Sequence, residues 1–461
     1  MKILHMYNKK IGNALFDGAG VRLPLRLYLF CERMTTDRGL ILCNYLTSEA
    51  ILLEEADFTG PCRKLSADGL TEDTLAYLFH HRFLVQESHE DCKDVDQLRE
   101  LARAVRRLEF HGYQRYTVLP TTDCNARCYY CYEKGCDKIT MNRQTALDTA
   151  DYILNTCAYD RRGEFVITWF GGEPLCNIPA IDLISDRLEK AGKNFRAHMI
   201  SNGLLFDRDV IEKAVKKWHL SKVQITLDGT ESVYNEVKAY AGFGDSAFEH
   251  VLANIESLLT AGIRVQIRLN VSEANIDDLE KLIELIDTRF RDLRPTVYTK
   301  LLFQYETREK TERYAKLDER RQMLNRKIEE AGLNYSGEKM NTLKIFGCMA
   351  DSPDGVVILP DGKLHSCEHF GENFAWGSIY SGETKKSLCH PASDGTGMVT
   401  PLAYWEDYLF TEQCRTCRAY PFCVISVHCP FQHCDRTLLE KNIPDYVQKI
   451  LSEQKDQDGA V

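Results

Sequence analysis

Between residues 116 and 303, short apolar runs alternate with segments whose apolar residues recur at helical spacing. Runs 116–119, 164–170, 195–200, 222–227, 264–271 and 296–303 have the length and composition of strands. Among the segments between them, Ala146, Ala150, Ile153 and Cys157 share one helical face. Phe248, Val251, Leu252, Ile255 and Leu259 share a second, and Ile276, Leu279, Leu282, Ile283 and Ile286 a third. Six strands joined by five helices predict an α/β fold with a parallel sheet and right-handed crossovers. Six units are too few to close an eight-stranded barrel.

Residues 1–110 follow another rhythm. Leu23, Leu25, Leu27 and Leu29 alternate as in a half-buried strand, and 39–46 with 50–54 suit a strand pair. Residues 71–81 read as a helix with Thr71 as its N-cap, followed by a wing strand at 83–85. Val95, Leu98, Leu101, Val105 and Leu108 then form the stripe of a charged helix. Small strands plus helices predict a winged-helix-like module. The barrel region spans 111–305. Residues 306–335 are dense in charge and predict a solvated helix bridging two domains. A cysteine-rich region fills 336–450, with strands at 356–359 and 363–366 about the turn Pro360-Asp361-Gly362-Lys363, and 451–461 form a tail.

Charge and composition narrow the function. A formal charge of −10 argues against nucleic acid or an anionic membrane as partner. No apolar run approaches membrane-spanning length. The opening residues, MKILHMYNKK, lack the apolar core of a signal peptide, so a cytoplasmic location is expected. In a reducing compartment, 18 cysteines point to metal binding or chemistry rather than disulfides.

Cys124, Cys128 and Cys131 directly follow the first strand and its Pro-Thr-Thr-Asp turn. Three thiolates can hold three irons of a [4Fe–4S] cluster, leaving the fourth for another ligand. A zinc knuckle would use the same thiols. Tyr130 stands before the last cysteine, and the next three strands end in Gly171-Gly172-Glu173-Pro174, Ser201-Asn202-Gly203 and Thr226-Leu227-Asp228-Gly229. Two glycines in the first of these turns let backbone approach a ligand that a Cβ would block.

With these motifs in this order, the region resembles the radical S-adenosylmethionine (SAM) superfamily. The resemblance implies a partial (β/α)6 TIM barrel whose open iron is chelated by SAM. An electron from the cluster then cleaves SAM to methionine and a 5′-deoxyadenosyl radical. It also implies SAM contacts from Tyr130, from Gly171, Gly172 and Glu173 at the amino group, from Asn202, and from the Thr226 hydroxyl. Lys238 stands where the family often has arginine, so a charge survives but a bidentate fork does not. Arg268 and Asn270 alternate on one strand face and would reach the ribose or carboxylate, or else line the barrel as satisfied polar groups.

The later cysteines resemble the SPASM extension of that superfamily, which holds two auxiliary [4Fe–4S] clusters, three clusters in all. By that resemblance Cys348, Cys367 and Cys429 hold the near cluster, with one iron open because Thr342 stands where another cysteine would be. Cys414, Cys417, Cys423 and Cys434 hold the far one. Five residues rather than three separate Cys423 from Cys429. A zinc ribbon using His428 and His433 is the competing reading, and Cys389 is a further thiol for the open site. Cys31, Cys43, Cys62, Cys92, Cys136, Cys157 and Cys176 read as packing or free residues. Glu368, next to Cys367, matches the position of an acidic base in sulfatase-maturating relatives.

The resemblance implies a maturase that abstracts hydrogen from a ribosomally made precursor peptide and forms a side-chain cross-link, foremost a cysteine thioether. A leader peptide would dock on the N-terminal module, unless that module is a structural cap. Flavodoxin or ferredoxin would supply electrons. A formylglycine-forming sulfatase maturase, a peptide epimerase and a metal-bearing binding protein without turnover are the alternatives.

Overall fold

The computed structural model describes residues 1–5, 21–60, 65–108, 111–243, 246–302, 312–335, 354–368, 375–381, 390–391, 398–399, 413–423, 440 and 443–452. They fall into two compact units: those within 1–109 and 408–461, and those within 110–339 and 348–407. This division differs from the predicted boundaries, because the predicted 336–450 domain is shared between the two units.

In the first unit, β1 (Lys2–His5), β3 (Cys31–Thr36), β4 (Gly39–Asn44) and β5 (Glu49–Leu53) form an antiparallel sheet in the order β1-β5-β4-β3. A ribbon pairs β2 (Leu25–Leu27) with β6 (Leu84–Gln86). Helix α1 (Glu72–His80) begins where predicted, with Thr71 Oγ1 accepting from the Thr74 amide. Helix α2 (Asp91–Leu108) buries Val95 and Leu98, but Leu101, predicted on the same stripe, is exposed. The pattern thus finds the two helices and the ribbon, and underestimates a four-stranded sheet. Cys417, Ala419, Tyr420 and Phe422, with Ile443, Val447 and Ile450 of a helix at Ile443–Ser452, join the core of this unit.

In the second unit the predicted strands appear within two residues of their predicted ends: β7 (Arg115–Thr121), β8 (Phe165–Gly171), β9 (Phe195–Ser201), β10 (Leu220–Leu227), β11 (Arg264–Val271) and β12 (Thr296–Leu301). They pair in parallel and in sequence order. Helices α3 (Arg143–Thr156), α4 (Ile178–Lys190) and α5 (Arg208–Lys216) fill the first three crossovers. Both α6 (Glu231–Lys238) and α7 (Ala247–Thr260) lie in the fourth, one more than predicted, and α8 (Ile276–Phe290) in the fifth. The sheet stays open. Beyond β12 lies β13 (Asn334–Tyr335), and beyond β7 come β14 (Gly355–Ile358), β15 (Lys363–His365) and β16 (Gly377–Ser378). The architecture is a partial TIM barrel with its edges extended.

The charged segment departs from prediction. Helix α9 (Glu312–Glu330) follows β12 and buries Leu317, Leu324 and Ile328 in the barrel core. It is a further helix of the barrel, following the sixth strand, rather than a solvated bridge. A sparse stripe spaced at seven and four residues suffices to pack one face, and the surrounding charges hid it. Among the described residues, no helix is long and apolar enough to cross a membrane.

Candidate functional site

Strand β7 delivers the first cysteine loop at the carboxyl end of the sheet, where parallel α/β folds place their sites. Thr121 Oγ1 accepts from the Asp123 amide at 3.0 Å, and Asp123 Oδ1 from the Cys124 amide at 2.8 Å. The turn after β8 grips this start: the Gly172 amide donates to Thr121 O at 3.2 Å and the Glu173 amide to Asp123 O at 2.9 Å. A Cβ on Gly171, whose φ is +125°, would lie 2.2 Å from Thr121 O, and one on Gly172 2.3 Å from Asp123 O. The two glycines therefore admit the cysteine loop's own backbone.

The far side of the loop is tied down as well. The Arg127 amide donates to Lys238 O and the Ala241 amide to Asn125 O, each at 2.8 Å. Asn202 Nδ2, from the turn after β9, lies 2.6 Å from Asn125 Oδ1 and 3.9 Å from Cys124 Sγ. The Ala126 amide points at the same sulfur at 3.4 Å. All three thiols are half-buried. Burial pushes Cys124 up to about 12 against the opposing Ala126 amide, and Cys131 up as well. Such thiols ionise readily only when a metal's charge is present.

Glu173 is fully buried. Its carboxylate accepts from Ser201 Oγ at 3.0 Å, from the Asn202 amide at 2.8 Å and from the Leu175 amide at 3.1 Å. Burial raises it to about 7, against those amides and the Ser201 hydroxyl. The side chain braces the β9 turn that carries Asn202.

The remaining predicted SAM contacts meet at a residue that sequence reasoning passed over. Asp228, in the turn after β10, is fully buried. Its Oδ1 accepts from Tyr130 Oη at 2.8 Å and from Asn270 Nδ2 at 3.1 Å. Its Oδ2 lies 3.0 Å from Lys238 Nζ. Arg268 Nε donates to Asn270 Oδ1 at 2.9 Å, and Asn275 Nδ2 bonds the backbone carbonyls of Asp228 and Asn270. Burial alone would lower the Lys238 ammonium, but Asp228 and Tyr130 hold it well above its usual range. The charge predicted to meet a SAM carboxylate is thus already paired. Thr226 is half-buried and stands in register with Arg268. The signal for Asp228 lay in the Thr226-Leu227-Asp228-Gly229 turn, quoted for its threonine alone.

Cys367 and Glu368 follow β15 and are half-buried. Burial and then the charges of Glu133, Glu368, Cys131 and Cys367 push the Tyr132 phenol well up, which places Cys367 and Glu368 near the first cysteine loop. Cys414, Cys417 and Cys423 belong to the other unit. Cys348, Cys429 and Cys434 lie outside the described residues, as do Cys62, Cys389, His428 and His433. Among the described residues no three His, Cys, Asp or Glu side chains converge on a single ion. A [4Fe–4S] cluster makes a different demand, one thiolate per iron. Three half-buried thiols on a braced loop, with an amide aimed at one sulfur, fit that donor set.

Residues 118–286 match the model of the Radical SAM superfamily. The Fe-coproporphyrin III synthase of Methanosarcina barkeri is 27% identical over 167 residues, 36% of this chain and 39% of the synthase. The GTP 3′,8-cyclase of Clostridium perfringens is 26% identical over 269 residues, 55% of this chain and 80% of the cyclase. The chain spans only 39–59% of the length of three curated relatives it matches. Among solved structures, anSMEcpe with bound AdoMet and Cp18Cys peptide superposes with a TM-score of 0.56 at 16% identity, covering 74% of this chain and 99% of that one. That likeness concerns the fold.

Proposed function

We propose, from the premise that the barrel of this chain is a radical SAM domain, that the protein is an enzyme that modifies a ribosomally made peptide. The carrying observation is the braced loop of Cys124, Cys128 and Cys131, ringed by the turns that end β8, β9 and β10. When bound, a [4Fe–4S] cluster and SAM supply a 5′-deoxyadenosyl radical for hydrogen abstraction. The chain's own part is to hold three thiols, fix Asn202 through Glu173, and keep Tyr130, Lys238, Arg268 and Asn270 in one network through Asp228. Thr226 adds a hydroxyl beside Arg268.

A peptide substrate is favoured over the small-molecule substrates named for the curated relatives by the fold likeness to anSMEcpe, a protein solved with a peptide. The second cysteine field supports two auxiliary clusters, on Cys348, Cys367 and Cys429 and on the Cys414–Cys434 group, three clusters in all. Cys348, Cys367 and Cys429 would leave a place for a substrate thiolate; a thioether would follow when the substrate carbon gives a hydrogen atom to the 5′-deoxyadenosyl radical and the new C–S bond releases one electron to the auxiliary cluster. Glu368 is the base for removing the substrate proton, and the N-terminal module receives a leader. A flavodoxin or ferredoxin donates the electron.

Anaerobic reconstitution tests this reading. Iron and sulfide near ~12 each per chain, with 5′-deoxyadenosine on reduction, are expected; zinc without sulfide and no 5′-deoxyadenosine would sink it. Mass spectrometry of a co-expressed cysteine-containing peptide separates the products. Loss of two hydrogens marks a cross-link, and no mass change marks epimerisation.

A further inference from the structure

We propose that His198, Lys222 and Arg264, in one row on the inner face of the barrel, form a carboxylate-binding site that takes an acidic side chain of the substrate peptide. The inference rests on the peptide-modifying reading above and narrows it to peptides with an aspartate or glutamate near the modified residue.

Alternation along the strands sets this face. On β9, β10 and β11, Ala197, Met199, Val223, Ile225, Val265 and Ile267 pack into the core beneath the helices. The residues between them therefore point to the concave side of the sheet. Among these, His198 pairs in register with Lys222, and Lys222 with Arg264. Arg196 stands two residues before His198 on the same face. The inward positions of β10, β11 and β12 include no acid and no aliphatic residue, and four of them are cationic: Lys222, Arg264, Arg268 and Lys300. A closed barrel fills this space with Val, Ile and Leu. Here the sheet stays open and its inner face suits a polar, anionic occupant.

Arg196 is paired with Glu164 at 2.6 Å and Asp160 at 3.5 Å. Among the described residues, the side chains of His198, Lys222 and Arg264 have no hydrogen-bond or ion-pair partner. Like charges directly opposite on neighbouring strands destabilise a sheet. Lys222 is half-buried, and burial, then Arg264 and Arg196, lower its ammonium. A folding role alone would place an acid or an apolar residue opposite Arg264. A carboxylate between Lys222 and Arg264 removes the repulsion and accepts charge-assisted bonds from both, with a ring N–H of His198 beside them. The chain as a whole carries −10, so an acidic peptide is attracted to this face and not to the surface at large. Lys222 precedes Thr226 by four residues, ~13 Å along β10. An extended peptide whose reacting residue lies at the carboxyl ends of the strands thus brings a side chain about four positions away to this row.

The test titrates full-length, anaerobically reconstituted protein with hexaglutamate, hexaglutamine and tripolyphosphate by calorimetry. Hexaglutamate should bind and hexaglutamine should not. Lys222→Met and Arg264→Gln should each weaken hexaglutamate by ~10-fold, and Lys222→Glu should abolish it. Lys281→Glu, an equal change of charge at an exposed position of α8, should bind as wild type does. Lys222→Met should also raise the urea midpoint, because it removes a repulsion and no partner. A lower midpoint would show that Lys222 is held by a structural partner, and overturns the proposal. If hexaglutamate fails to bind, binds the Lys222 and Arg264 variants undiminished, or is weakened as much by Lys281→Glu, the proposal is wrong, while 5′-deoxyadenosine from the reduced wild type keeps the enzyme reading. If tripolyphosphate binds through this row and hexaglutamate does not, the site takes phosphate and the peptide assignment is wrong. If the reduced wild type yields no 5′-deoxyadenosine, the reading above fails and takes the substrate assignment with it.

Discussion

Cys124, Cys128 and Cys131 lie within eight residues of one another, on a loop fastened by backbone from the turn after β8 and from the end of α6, and by the Asn202 side chain. Cys414, Cys417 and Cys423 also sit close in sequence, but α2, more than three hundred residues earlier, fixes their coil. The first group inherits its geometry from a parallel sheet whose carboxyl-end turns converge anyway. The second depends on side chains, Arg99, Asp96 and Cys92, reaching across from a distant part of the chain. The barrel loop should therefore tolerate changes in the N-terminal module, whereas the coil should not.

The largest effect breaks the first group. Cys128→Ala removes one of three thiolates and should bring SAM cleavage to background, measured as 5′-deoxyadenosine. Iron bound at Cys414, Cys417 and Cys423 should remain. Retained cleavage would mean that the loop is not the SAM site. Next comes the network beneath the loop. Lys238→Met strands the fully buried Asp228 carboxylate and should cost about 3–5 kcal/mol of stability. Adding Asp228→Asn should return part of it, because the two changes remove both members of one pair. Urea unfolding of the cluster-free protein measures both, and strictly additive costs would show that the pair is not coupled.

Legibility followed the same division. The barrel strands and the cysteine loop were readable because each rests on local spacing: runs of strand length, turns at their ends, three thiols in one stretch. The bracing roles of Gly171, Gly172 and Glu173 carry no local pattern, since only the fold shows that carbonyls of the cysteine loop lie where a Cβ on either glycine would fall. Asp228 escaped notice because its partners Tyr130, Lys238 and Asn270 come from three other segments. Helix α9 was misread because Leu317, Leu324 and Ile328 are few among many charges. Cys92 carries no spacing signal at all; only the fold brings it to Cys414.

A smaller effect isolates the second group. Arg99 is buried and donates to three carbonyls of the coil. Arg99→Leu removes those charge-assisted bonds and should destabilise the N-terminal unit by about 2–3 kcal/mol. Hydrogen exchange across 413–423 should rise while 5′-deoxyadenosine formation stays near wild type. Equal loss of SAM cleavage would show that the two groups are not held independently.

The smallest effect separates the barrel's scaffold from its loop. His198 sits mid-strand on β9, in register with Thr168 and Lys222. Burial, then Lys222, Arg196 and Arg264, push its imidazole down to about 4. Arg196 is itself paired with Glu164 and Asp160. An unfolded histidine titrates near ~6.5. Between these values the unfolded chain binds more protons, so stability rises with pH. The contribution is complete above about 6.5 and is lost as pH falls toward about 4. Because His198 is only half-buried, solvent screening leaves about 1–2 kcal/mol. His198→Gln keeps the polar volume without the titration. Urea midpoints of the cluster-free protein should therefore fall less between about pH 7 and pH 4.5 in the variant than in the wild type. Parallel profiles would place the acid sensitivity elsewhere, in the carboxylates that hold the turns together.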